Sequence, residues 1–124
     1  MSNSYRDLIA WQKALALVTK VYRWTDRFPK SEVYGLTSQM RRAAVSVVSN
    51  IAEGQGRKTA GEFQQFLGNA KGSLLELETH VFIATNLEYM TPADQKEALA
   101  DTDEVSRLIN GLLRSLAARA ATRN

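Results

Sequence analysis

The residues from Glu53 to Phe63, EGQGRKTAGEF, set three glycines around Arg57, Lys58 and Thr59, close to the ending of a phosphate-binding loop. Such a loop needs a strand, then GxxxxGK followed by serine or threonine, then a helix, so that successive backbone amides wrap the phosphates. Here Arg57 stands where a glycine must precede the lysine, Ala52 stands where the first glycine is required, and the segment before it reads as helix. The stretch is therefore expected to be a corner in which Gly54 and Gly56 let one helix end. Thr59 and Glu62 then form the capping box of the next. No nucleotide or other cofactor is expected. Arg57 and Lys58 still place two positive charges beside a helix amino terminus, where an anion can rest.

Glu76 and His80, four residues apart, are the nearest approach to a metal motif. Metal-binding bundles use Glu-x-x-His at a spacing of three, twice, aimed inward. This chain has a single histidine, and both side chains fall off the apolar seam of their helix. The reading is an exposed or interfacial histidine, with no metal bound. No serine, histidine and aspartate set assembles around one such base, so no catalytic residue and no enzymatic activity are expected.

The basic residues are more suggestive. Arg6, Lys13, Lys20 and Arg27 recur every seven residues, with Arg23 beside Lys20. On a helix whose apolar seam faces a core, these positions form an outer cationic stripe about 30 Å long. A second set is Arg41, Arg42, Arg57 and Lys58. Spaced cations of this kind neutralise nucleic-acid phosphates, RNA or DNA, without reading sequence. The competing reading gives these residues structural roles. The stripe then pairs with acids of the last helix such as Glu97, Asp101 and Glu104, and Arg41 and Arg42 pair with Glu53, Glu76 or Glu78.

The elements that must carry these residues follow from composition and period. At 124 residues with 44% hydrophobic and 23% charged side chains, the chain is expected to be one globular domain, 1–124. Without cysteine it has no disulfide framework, which fits a reducing cytoplasm. The amino terminus has no apolar run behind a basic start, and no window approaches the roughly 18 apolar residues of a membrane span. The expected location is cytoplasmic, with no membrane partner. Charge is uneven: residues 1–58 hold ten Lys/Arg against four Asp/Glu, whereas residues 88–106 hold one against six. That polarity suits nucleic acid or an acidic patch on another copy.

Apolar residues recur at three and four, which is helical period. The first helix is expected over about 7–26, with Leu8, Trp11, Leu15, Val18 and Tyr22 on its seam. Pro29 ends it, and Ser31 is a candidate cap for the second, 32–54, with Met40, Ala44, Val47 and Ile51 inward. The third runs over 59–88 through Phe63, Leu67, Ala70, Leu74, Leu77, Val81 and Ala84. Thr91 and Pro92 open the fourth, 92–120, which uses Leu99, Val105, Ile109, Leu112 and Leu116 and ends in a frayed basic tail. Four such helices with short connections make an all-α, antiparallel up-down-up-down four-helix bundle.

Helices two and three are apolar beyond these seams. Val45, Val48, Phe66, Leu75 and Phe82 lie off them, and AAVSVVSNIA, from Ala43 to Ala52, has no charge. Either the core is wide, or a second face is buried against another subunit; the latter is favoured, because bulky side chains such as Phe82 are costly to leave wet. Gly68 and Gly72, four apart in one helix, are consistent with close approach by a neighbour.

The segments YGLTSQMRRAAVSVVSNIAEG and GSLLELET resemble a bacterial family of four-helix-bundle proteins, first noticed as products of intervening sequences inside large-subunit ribosomal RNA genes. The accessory variability protein of diversity-generating retroelements is similar as a divergent relative. The resemblance covers roughly residues 5–90. It implies a homopentameric ring without enzymatic activity, an association with nucleic acid, and, through the retroelement relative, a reverse transcriptase as a further candidate partner. The family often has proline where this chain has Val48, which implies a straighter second helix here.

Overall fold

The computed structural model describes residues 4–122 in backbone and, along the last helix, side chains through Arg119. Four helices follow in order: α1 over Ile9–Thr25, α2 over Leu36–Gln55, α3 over Ala60–Asn86 and α4 over Pro92–Thr122. Short 3-10 turns at Tyr5–Asp7 and Lys30–Glu32 precede α1 and α2. Each helix packs against its two neighbours in the cycle α1–α2–α3–α4, and among the described residues the backbones of the diagonal pairs stay apart. The result is the expected all-α four-helix bundle. The carboxy-terminal residues expected to fray are helical through Thr122, and the last two, Arg123 and Asn124, lie outside the described residues.

The core is built from one stripe per helix. All seven seam residues expected on α3 are buried, as are Met40, Ala44, Val47 and Ile51 on α2. On α4 the buried row is Ala98, Thr102, Val105, Ile109 and Leu116. Leu99 and Leu112 lie half-exposed beside it.

On α1 the buried row differs from the expected one. Ala10, Ala14, Leu17, Val21 and Trp24 face the core, while Leu15 and Tyr22 are exposed. Two apolar rows of equal period run along this helix, and the bulkier one was expected inward. The core takes the other because Ala10 and Ala14 let α1 pack closely. Trp11 and Val18 then lean against the core from the side. This rotation turns Lys13, Lys20 and Arg27 from the back of the helix to its flank, next to α4.

The helix ends are fixed locally. Thr59 Oγ1 accepts from the Glu62 amide at 3.1 Å and donates to its carboxylate at 3.0 Å, so Thr59 caps α3 as expected and Glu62 is tied to it through the hydroxyl. Thr91 Oγ1 accepts from the Asp94 amide at 3.0 Å. Ser31 is no cap: it lies inside the 3-10 turn, and Glu32 Oε1 accepts from the Leu36 amide instead, at 3.1 Å. That shift starts α2 four residues later than expected. Gly54 does not release α2 either. It lies buried inside the helix, where an added Cβ would stand 2.8 Å from Phe63 Cδ1 and 2.9 Å from Phe66 Cβ, so it is there for close packing of α3. The helix continues through Val48 without interruption.

At the end of α3 the Tyr89 amide donates to the Ala84 carbonyl at 2.8 Å and the Glu88 amide to Thr85 at 3.0 Å. This is a Schellman ending with Glu88, at φ 63°, in the left-handed position that glycine usually takes. Replacing the exposed Glu88 by glycine removes that strain. Glu88→Gly is expected to stabilise the bundle by about 1 kcal/mol, read as a raised denaturation midpoint in urea with unchanged slope.

Candidate nucleic-acid interface

The α1 cations meet the acids of α4. Lys20 Nζ lies 2.8 Å from Asp101 Oδ2 and 3.0 Å from Glu97 Oε2, Arg27 lies 2.8 Å from Asp94, and Lys13 lies 3.9 Å from Glu104. The hydrogen bond to Asp101, then that to Glu97, raises the Lys20 pKa above its ordinary value against the opposing effect of burial. Lys20 and Arg27 are thus paired in place and Lys13 lies loosely beside Glu104, as the structural reading of the sequence anticipated. The fourth, Arg6, is exposed and stands over the Tyr5 ring at 5.6 Å.

The remaining cations are held differently. Arg41 donates from Nε to Thr25 Oγ1 at 2.9 Å, lies 4.5 Å above the centre of the Tyr22 ring, and comes no nearer than 4.0 Å to Asp26. Its partners are therefore on α1, not Glu53, Glu76 or Glu78. Arg57 covers the half-buried Phe66 ring at 4.6 Å, with Glu53 at 4.0 Å. Such guanidinium–ring contacts fix the cation without cancelling its charge. Arg23, Arg42 and Lys58 are exposed and form no ion pair among the described residues.

Arg41 and Arg42 line an open groove with Tyr22, Val33, Thr37, Ser38, Val45 and Ser46. Arg42 also borders a second, more polar groove between α2 and α3, with Gln39, Ala43, Ser46, Ser73 and Glu76. Ser46 and Ser73 hydroxyls bond across it at 2.8 Å. Neither groove brings together an acid, a base and a nucleophile in one catalytic arrangement. What the first offers is guanidinium groups beside apolar and aromatic surface, a combination that binds phosphates and planar rings.

The surplus apolar residues divide. Val48 is only 8% exposed and belongs to the core, so little of it is available to a partner. Leu75 and Phe82 are 65% and 47% exposed, and Val45 is exposed too. Gly68 and Gly72 face open space, with nothing within 4 Å of an added Cβ. Leu15 and Tyr22, which periodicity sets inward, and Val33, which it does not mark, join Val45 on the α1–α2 side. Periodicity also misses Ile83 and Leu87 on α3. Glu78, three residues after Leu75 and four before Phe82, bonds Thr102 of α4 at 2.7 Å. The Leu75–Phe82 row therefore borders α4, on the side of the bundle opposite the α1–α2 groove.

His80 is not exposed. It is 6% accessible on the side of α3 that meets α2, and its Nδ1 has no hydrogen-bond partner. Burial lowers its pKa below the ordinary 6.5, partly offset by Glu76, whose carboxylate lies 3.8 Å from Nε2. At neutral pH the ring is uncharged and this contact is not an ion pair. Among the described residues no three side chains group as metal ligands, and no helix is long and apolar enough to cross a membrane. Because the folded pKa is depressed, the unfolded chain binds the proton more tightly, and stability falls as pH drops below about 6.5. His80→Leu is expected to flatten the thermal midpoint between pH 7 and pH 5. Parallel losses in both proteins would contradict this.

A family model described as 23S rRNA-intervening sequence protein matches residues 6–111. A solved structure of a protein with unknown function from the S23 ribosomal protein family of Bacteroides thetaiotaomicron is similar in fold, with a TM-score of 0.76 at 18% identity. The match covers 85% of this chain and 98% of that one. No curated protein matches the chain. Neither description names an enzymatic activity. The chain belongs to the 23S rRNA-intervening sequence protein family.

Proposed function

We propose, from that family membership and from the surface left uncovered on one bundle, that this is a non-enzymatic, homo-oligomeric protein of the cytoplasm. Its assembly holds nucleic acid without reading sequence. The observation that carries the assembly is the pair of exposed apolar patches on opposite sides of the molecule: Leu15, Tyr22, Val33 and Val45 on one, Leu75 and Phe82 on the other. Different patches meeting head to tail give a heterologous contact, which closes into a ring when the rotation between copies divides the circle. The family resemblance supports five copies. Gly68 and Gly72 beside the second patch allow a neighbouring helix to come close.

The nucleic-acid part rests on the cations that α4 does not neutralise, chiefly Arg23, Arg42 and Lys58, with Arg6, Arg41 and Arg57 beside aromatic rings. Lys13, Lys20 and Arg27 serve the bundle. Repeating a weak cationic site around a ring multiplies its hold on one strand. An adaptor without nucleic-acid contact, for example for a reverse transcriptase, is the competing role.

Light scattering at neutral pH is expected to give a mass several times 13.8 kDa. Leu75→Glu with Phe82→Glu is expected to reduce it to the monomer with helical content retained. Gly68→Ala with Gly72→Ala is expected to raise the stability of the separated bundle by about 1 kcal/mol per site while weakening the assembly. A wild-type mass of one chain ends the oligomer reading. Retarded migration of RNA or DNA at micromolar protein in low salt supports nucleic-acid binding, and its absence leaves the adaptor role.

A further inference from the structure

The connection between α1 and α2 carries an aromatic side chain with no packing role. Tyr34 is 95% exposed, yet the backbone that presents it is firmly built. The Glu32 carboxylate accepts from the Leu36 amide at 3.1 Å and from the Tyr89 hydroxyl at 3.0 Å. Tyr89 packs against Phe28 with ring centres 5.4 Å apart, and Phe28 is buried in the core. That bond to Glu32 also raises the pKa of Tyr89, which keeps its proton in the bond. Gly35 closes the turn: a Cβ there would stand 2.7 Å from Glu32 Oε1. Tyr34 is thus presented to water from a backbone turn fixed on both sides of it.

Its surroundings are cationic. Val33, the preceding residue, lines the groove with Tyr22, Arg41 and Arg42. Arg23 follows Tyr22 on α1, and Lys30 opens the turn. The acids nearby are Asp26, 4.0 Å from Arg41, and Glu32, whose two oxygens are both occupied. Arg41, Arg42 and Lys30 outnumber these two acids, so positive charge prevails around an unused aromatic face.

We infer that this corner, where Tyr34 and the arginines stand at the rim of the Tyr22–Val33–Val45 patch given above to the contact between copies, is a stacking site for an unpaired base, and that the nucleic acid held is single-stranded. The inference rests on the nucleic-acid reading above and narrows it. A duplex offers phosphates to the arginines, but its base faces are already stacked, so Tyr34 has nothing to meet. A single strand offers both at once: Arg41 and Arg42 meet the phosphates while one base lies on the Tyr34 ring. Every base has a π face, so this arrangement adds affinity without sequence preference. A backbone already fixed has less freedom to lose when the ring stacks, which favours the turn over a mobile loop as its carrier.

The test is fluorescence anisotropy at low salt with a labelled single-stranded RNA of mixed sequence and with the duplex of the same length. It uses the wild-type protein, Tyr34→Ala, Tyr34→Phe and Arg42→Gln, each also weighed by light scattering. Tyr34→Ala is expected to lose about tenfold in affinity for the single strand, within the range of one stacked base, and nothing for the duplex. Tyr34→Phe is expected to bind as wild type, and Arg42→Gln to weaken both ligands. Equal binding of the single strand by Tyr34→Ala and wild type overturns the inference while leaving nucleic-acid binding intact, as does a preference for duplex. If wild type binds neither ligand, the broader reading fails and this site falls with it. A fall in assembled mass for Tyr34→Ala assigns the ring to a contact between copies, which also overturns it.

Discussion

The seating of α4 against α1 governs much of what this surface offers. Lys20 sits between Glu97 and Asp101, with Arg27 on Asp94 and Lys13 near Glu104, so three cations and four acids run along one seam. Exposed pairs of this kind contribute little each, about 0–1 kcal/mol, and the apolar row from Ala98 to Leu116 supplies most of the adhesion. What the charges add is register: sliding α4 by one turn would draw Lys13, Lys20 and Arg27 away from these partners. They also use up the longest basic row in the chain, so the positive charge that remains lies elsewhere, on Arg23, Arg42 and the Arg57–Lys58 corner.

The same seam shows which parts of the fold were legible in the sequence. On α3 the inward row is the longest in the chain and opens at a threonine N-cap, and every residue of it is buried. On α1 two rows compete with equal period, and side-chain size points to the wrong one. Only the neighbours decide, since Ala10 and Ala14 permit a close approach that Trp11 and Leu15 would prevent. Because a helix turns as a rigid body, that one misreading also moved the basic row from the back of α1 to its flank. The start of α2 was hidden for another reason: Glu32 acts as its cap from outside the helix, after an intervening 3-10 turn.

The candidate site was half legible. Arg41, Arg42, Arg57 and Lys58 were marked by charge alone, but charge does not reveal that Arg41 lies over Tyr22 or that Arg57 lies over Phe66. Those contacts depend on partners 19 and 9 positions away in the chain. Tyr34 gave no signal by period, because it belongs to no helix. The apolar surplus of helices two and three was legible as an amount, and the bundle sorted it: Val48 went to the core, and Leu75 and Phe82 to the surface. With Leu15, Tyr22 and Val45 opposite them, the exposed residues form two patches instead of one, which is the arrangement a closed ring of identical subunits uses.

If nucleic acid is held as proposed, its phosphates meet the arginines that α4 leaves free and not the basic row along α1. This is tested most directly by the salt dependence of RNA binding. For the wild type, the logarithm of affinity should fall linearly with the logarithm of salt concentration. Removing one phosphate contact should lower the magnitude of that slope by about one for each copy engaged. The account predicts this flattening for Arg23→Gln and Arg42→Gln, with the slope of Lys13→Gln and Lys20→Gln unchanged. The opposite pattern, in which the α1 lysines carry the slope and Arg23 and Arg42 do not, would contradict it.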